Sequence, residues 1–129
     1  MAIIGHGIDI TSVDRIREMI ADHGPHFLGR VFSDAERSSG DQYSSPSRRV
    51  EHFAGRFAVK EAALKALGTG WRDGIAWTDV ETLTEPSGAP VLRLHRKVSE
   101  LASQRGVRTT HVSISHSAGM VIASVILES

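Results

Sequence analysis

The stretch from Ser47 to Leu67 constrains this chain more than any other. Val50, Phe53, Ala54, Phe57, Ala58, Leu64 and Leu67 recur at helical spacing. Gly68 and Gly70 follow at once, where glycine commonly closes a helix. A helix this long with an apolar stripe must bury that stripe against other elements.

The flanking sequence supplies those elements. Residues 2–10 read as a strand ending at Asp9, with glycines that permit close backbone approach. Thr11 and Ser12 are N-cap candidates for a helix to about Ala21, which Gly24-Pro25 breaks. Ser33 and Glu36 form a capping-box pattern for a short helix over 33–38, and residues 39–47, with Gly40 and Pro46, form a polar loop. Strands are expected at 76–84 and 90–94 around a turn at Glu85-Pro86-Ser87-Gly88. A helix over 96–105 precedes a second strand pair, 109–116 and 119–127, turning near Ser117-Ala118-Gly119. Strands and helices do not alternate regularly. The expected class is α+β: one domain of antiparallel strands packed with one long and several short helices.

Bulk properties narrow the function. With 15 basic and 15 acidic side chains the net charge is zero, which argues against a general nucleic-acid binder. The absence of cysteine excludes thiolate catalysis and a disulfide framework. No apolar run has the length of a membrane span, and MAIIGHGIDI lacks the charged start and long apolar stretch of a signal peptide. The expectation is a cytoplasmic protein with no membrane partner.

Several residues stand out as carriers of chemistry. Glu61 falls in line with Phe53, Phe57 and Leu64 and so is aimed toward the core side of the long helix. A carboxylate there needs a cationic partner or a metal. Lys65, four residues on, is the ready partner; a metal is the other reading. Arg49, Arg56 and Lys60 project from one flank, either as a solvated face or as a cradle for a polyphosphate held with a divalent metal. Asp9 stands where a strand meets a helix, a place for capping residues and for metal ligands alike. In HVSISHS, residues 111–117, His116 ends the row of Val112 and Ile114 just before a turn, where a polar tip reaches either a structural partner or a ligand. No GxxxxGK[ST] or GxGxxG motif occurs.

Three separated segments, GHGIDI (5–10), FAGRFAVKEAALKALGTG (53–70) and HVSISHS (111–117), together resemble the holo-acyl-carrier-protein synthase group of phosphopantetheinyl transferases. FAVKEA is the most specific of these runs, and order, spacing and total length agree as well. The resemblance implies a 4′-phosphopantetheinyl transferase-like fold. It also implies transfer of the pantetheine arm of coenzyme A to a serine of apo acyl carrier protein, in fatty acid biosynthesis, with release of 3′,5′-ADP.

Carried over residue by residue, it implies Asp9 and Glu61 as Mg²⁺ ligands, and Lys60 and Lys65 as contacts to the coenzyme A phosphates. It places Arg56 at the adenine end, Gly68 along the coenzyme cleft, and His116 on the coenzyme with a catalytic part in some members. Arg49 and Ser117 fall at neighbouring coenzyme positions; Ser117 stands where the family often has threonine or aspartate. Arg15 aligns with a basic residue that meets the acidic carrier protein. A homotrimer with coenzyme sites between subunits is the implied assembly. Glu61, Glu36 and His116 are all candidates to take the serine proton.

Overall fold

The structure is a computed structural model and describes residues 1–72 and 74–129. Its elements are β1 (Ile3–Ser12), α1 (Val13–Val31), α2 (Asp34–Asp41), α3 (Pro46–Leu67), a 3-10 turn (Trp77–Asp79), β2 (Val80–Thr84), β3 (Pro90–Leu94), α4 (Arg96–Gln104), β4 (Thr109–Ser117) and β5 (Met120–Glu128). They form an α+β fold with two antiparallel sheets. One has the order β1-β5-β4 and the other is the β2-β3 hairpin.

α3 is the axle. Ser45 caps its start and Pro46 sits in its first turn, where a missing N–H costs nothing. Gly68 ends it in the left-handed region at φ 75, returning its N–H to Leu64 and Lys65. The helix is buried on most sides, including Val50, Phe53, Ala54, Phe57, Ala58, Leu64 and Leu67. Ala54, Ala58, Ala62 and Ala66 make one smooth row at a spacing of four. β1 lies against this row. A Cβ on Gly5 would stand 1.9 Å from the Ala66 carbonyl oxygen, and one on Gly7 1.9 Å from that of Ala62. Glycines on the strand and alanines on the helix thus allow a backbone approach that larger residues would block. Val121, Ala123, Val125 and Leu127 of β5 continue the buried layer.

The remaining elements depart from the expected boundaries in physically readable ways. β1 runs past Asp9 to Ser12, because it stays paired with β5 to the Ser12–Met120 register. Ser12, one of the two expected caps, accepts from Arg15 N. Gly24-Pro25 kinks α1 instead of ending it. Gly24 takes φ 47, and the chain resumes as helix to bury Phe27 and Val31. The capping box of Ser33 and Glu36 is formed, and α2 extends to Asp41, which shortens the expected 39–47 loop to 42–45. Residues 77–79 of the expected 76–84 strand are 3-10. No helix among the described residues is long and apolar enough to cross a membrane.

Candidate active site

The close packing of β1 on α3 brings Asp9 to Lys65. The Lys65 ammonium donates to a carboxylate oxygen of Asp9 at 3.1 Å and to the Ile8 carbonyl at 3.0 Å. The other Asp9 oxygen accepts from the Thr11 hydroxyl at 2.8 Å. Asp9 is largely covered, with 16% of its side chain accessible, while Lys65 is 54% accessible. Glu61 stands one turn before Lys65 on the same face of α3. It is half-buried, so it does not point into the core. It does not take the expected Lys65 partner. Its Oε2 accepts instead from the indole N–H of Trp71 at 3.3 Å. Of the two carboxylates, Asp9 meets the ammonium and Glu61 meets the indole.

His116 lies elsewhere. It is exposed near the end of β4, with Nδ1 3.6 Å from a carboxylate oxygen of Glu51. Glu51 and Glu61 are ten residues apart on α3, about 15 Å along its axis. The chain thus carries two polar groups at two levels of one helix. Ser117 ends β4 and is exposed, as is Gly68 at the end of α3.

A sequence profile of the 4′-phosphopantetheinyl transferase superfamily matches residues 5–122. The chain belongs to that superfamily. A holo-[acyl-carrier-protein] synthase of Koribacter versatilis is 46% identical over 126 residues, 98% of each chain. The crystal structure of the Neisseria meningitidis holo-[acyl-carrier-protein] synthase superposes with a TM-score of 0.86 at 30% identity, over 99% of this chain and 100% of that one. A Bacillus anthracis holo-(acyl-carrier-protein) synthase in complex with CoA (3′,5′-ADP) superposes with a TM-score of 0.80 at 35% identity, over 98% and 97%. As a phosphopantetheinyl transferase, the chain is a holo-[acyl-carrier-protein] synthase by enzyme class.

The basic flank expected on α3 of this transferase needs correction at Lys60. Its side chain is wholly buried and pairs with the equally buried Glu36 at 2.9 Å. The ammonium also donates to the Trp77 carbonyl at 3.2 Å and to the Val80 carbonyl. Burial lowers its pKa, against the pull of Glu36. With its donors engaged inside the protein, Lys60 does not face a coenzyme phosphate. Glu36 leaves the set of bases for the same reason: it accepts from Lys60, from Ser33 N and from Thr82 N, each at 2.9 Å.

Arg49 and Arg56 keep partial exposure. Arg49 pairs with Asp41 at 3.2 Å and lies 5.1 Å over the Phe53 ring. Arg56 donates to the Thr84 hydroxyl at 2.7 Å, and burial lowers its pKa. Arg15 is exposed with its guanidinium 5.5 Å over the Phe57 ring, at the rim of a groove of about 370 Å³ shared with Met19, Phe27, Arg30 and Trp77.

The donor set fits magnesium. Asp9 and Glu61 offer only hard oxygen, and the nitrogens that meet them, the Lys65 ammonium and the Trp71 indole N–H, are hydrogen-bond donors with no lone pair for a metal. Gly7, pressed against Ala62, fixes β1 and hence Asp9 beside α3. Two protein carboxylates suit an ion whose other positions go to phosphate oxygens and water. The sequence pattern did not single out Trp71 or Glu51, and it marked Thr11 only as a helix cap. Each acquires its role from a contact that only the fold creates.

Proposed function

We propose that this enzyme transfers 4′-phosphopantetheine from coenzyme A to a serine of apo acyl carrier protein, with Mg²⁺ held by Asp9 and Glu61, in fatty acid biosynthesis. The observation that carries it is the Asp9–Lys65 pair at the β1–α3 contact, with Glu61 one turn before Lys65 on the same helix, in a chain of this superfamily. When bound, magnesium supplies charge neutralisation at the pyrophosphate of coenzyme A.

The chain's own residues supply the rest. The serine oxygen bonds to the β-phosphorus, the bond from that phosphorus to the bridging oxygen breaks, and 3′,5′-ADP leaves with the electron pair. Such a transfer depends on positioning and charge stabilisation more than on covalent help. Lys65, released from Asp9, places its ammonium on the leaving phosphate. Arg56 and Arg49 serve the nucleotide end, and Gly68 lets the cleft wall approach the coenzyme without a side chain. Glu61 and His116 remain as acceptors of the serine proton, since both stay open to a ligand.

The partner side follows from the groove beside α1. Its apolar floor of Met19, Phe27 and Trp77 and its basic rim of Arg15 and Arg30 match an acidic protein that presents apolar side chains. The assembly follows from the sheet. Ile8 and Ile10 are 54% and 61% exposed on the face of β1 away from α3, and Met120 and Ile122 stand beside them on β5. A second and third copy of this chain cover that face as a homotrimer, and His116 of one copy completes a site begun by Asp9 and Glu61 of another. The enzyme works in the cytoplasm, where both substrates are made.

Incubation with apo carrier protein, coenzyme A and magnesium, followed by intact mass measurement, tests the reaction. One phosphopantetheine should be added, and chelator should abolish it. A folded, coenzyme-binding enzyme that adds nothing to several carrier proteins overturns the proposal.

A further inference from the structure

We propose that Trp71 is the positioning residue of this active site: its indole N–H sets the orientation of the Glu61 carboxylate. The proposal rests on the reading of Glu61 as a metal ligand. It starts from an unusual juxtaposition. Trp71 lies ten residues beyond Glu61, past the end of α3, and returns to it through Gly68 and Gly70, both at positive φ. The indole nitrogen then donates to Oε2 at 3.3 Å. An indole has one donor and no acceptor, so it can hold a carboxylate without competing for a cation. With Oε2 engaged, Oε1 faces no other partner among the described residues and is left for a ligand.

The alternative partner for Glu61 was Lys65 at the favourable spacing of four. That ammonium is occupied by Asp9 and the Ile8 carbonyl. Trp71 therefore keeps Glu61 from collapsing onto Lys65 when Lys65 lets go of Asp9. The indole is itself fixed. Its ring sits 3.9 Å from that of Trp77, centroid to centroid, and Trp77 stacks on Phe57 at 5.2 Å with 25° between planes. Phe57 is one turn before Glu61 on α3, so the stack closes a ring of contacts that starts and ends on the same helix. Trp77 and Phe57 also line the groove beside Arg15. The orientation of Glu61 is thus tied to the surface that receives the protein substrate.

The chain contains two tryptophans, and both are in this stack. That supplies a readout independent of turnover. In Trp77→Phe the sole indole is Trp71. Titrating magnesium in the presence of coenzyme A should change its emission saturably, and adding Glu61→Gln to that variant should remove the change. In Trp71→Phe, which keeps a ring in the stack but deletes the N–H, the magnesium concentration for half-maximal transfer should rise roughly tenfold, with the Michaelis constant for coenzyme A at saturating metal little altered.

An unchanged magnesium requirement in Trp71→Phe, with Glu61→Gln still crippled, overturns the positioning role and leaves the metal site standing. A silent Trp71 in the Trp77→Phe titration does the same. Full magnesium-dependent transfer by Glu61→Gln removes the metal assignment itself, and the proposal with it. A rise in half-saturating magnesium in Trp71→Phe, at an unchanged thermal midpoint, supports the proposal against a merely structural role.

Discussion

Lys60 and Glu61 are adjacent in sequence and opposite in fate. The Lys60 side chain has 0% accessibility and is bound to Glu36, while Glu61 is half-buried with its Oε2 on Trp71. One hundred degrees of helical rotation separates a buried strut from a half-buried carboxylate. The buried pair ties α2 to α3, and its remaining bonds reach the 3-10 turn and β2. The lysine of the KEA run thus holds the helix that carries the glutamate.

Breaking that pair should unfold the protein before it affects binding. Glu36→Ala leaves a buried ammonium without its counter-ion and should cost about 3–5 kcal/mol. Lys60→Met with Glu36→Leu removes both charges and should recover much of the loss, although Ser33 N and Thr82 N lose their acceptor. Urea denaturation of the three proteins measures this. A Lys60→Met single variant of full stability and raised Michaelis constant for coenzyme A would restore Lys60 to the binding site.

His52 should make stability depend on pH. Burial, with Arg56 nearby, pushes its imidazole down from 6.5 to about 4. Its Nε2–H donates to the Glu36 carbonyl at 2.9 Å, and Nδ1 is buried without a partner among the described residues. Between those two pH values the unfolded chain binds the proton and the folded one does not. The contribution is complete above about pH 6.5 and is lost as pH falls through 4, up to about 3 kcal/mol. Denaturation curves across this range should show a shallower slope in His52→Gln. Equal slopes in the two proteins would refute the assignment.

Gly7→Ala should damage both fold and site. The added methyl would meet the Ala62 carbonyl oxygen, a backbone atom that cannot swing aside, at 1.9 Å and force β1 off α3. A loss of about 1–3 kcal/mol is expected. Because Asp9 rides on the same strand, the magnesium requirement should rise as well. Thermal melting and a magnesium titration report the two effects separately. A variant as stable as the parent would show that the strand gives way freely.

Asp9→Asn and Glu61→Gln keep size and remove charge. Each should lower transfer by roughly 100-fold or more, with the fold intact by circular dichroism, since both side chains are only partly buried and lie outside the apolar core. Near-parental rates in both would dismiss the paired-carboxylate site.

How much of this was legible in the sequence follows how local each feature is. The apolar stripe of α3 and its glycine stop are periodic and were readable, as was the Ser33–Glu36 capping box, which spans three residues. Gly24-Pro25 signalled a break, but proline at the start of a new turn and the buried Phe27 and Val31 restart the helix. Long-range choices were hidden. Lysine is a surface residue by type, so the burial of Lys60 depends on Glu36, 24 residues away. Lys65 had a partner at hand in Glu61 and took Asp9, 56 residues distant, because Gly7 lets β1 come close. The Asp9 and Glu61 positions stood out through the motif, while Trp71 carried no periodic or motif signal.

Asp9 is aligned opposite Ala123 of β5, so the first strand of the sheet waits for its last. A chain emerging from the ribosome can form α3 and the α2 clamp while β5 is still unmade. β1 can by then lie on α3 through Gly5 and Gly7, but it has no strand partner until β5 appears. The backbone bonds that hold Asp9 in register therefore form only once β5 has been made.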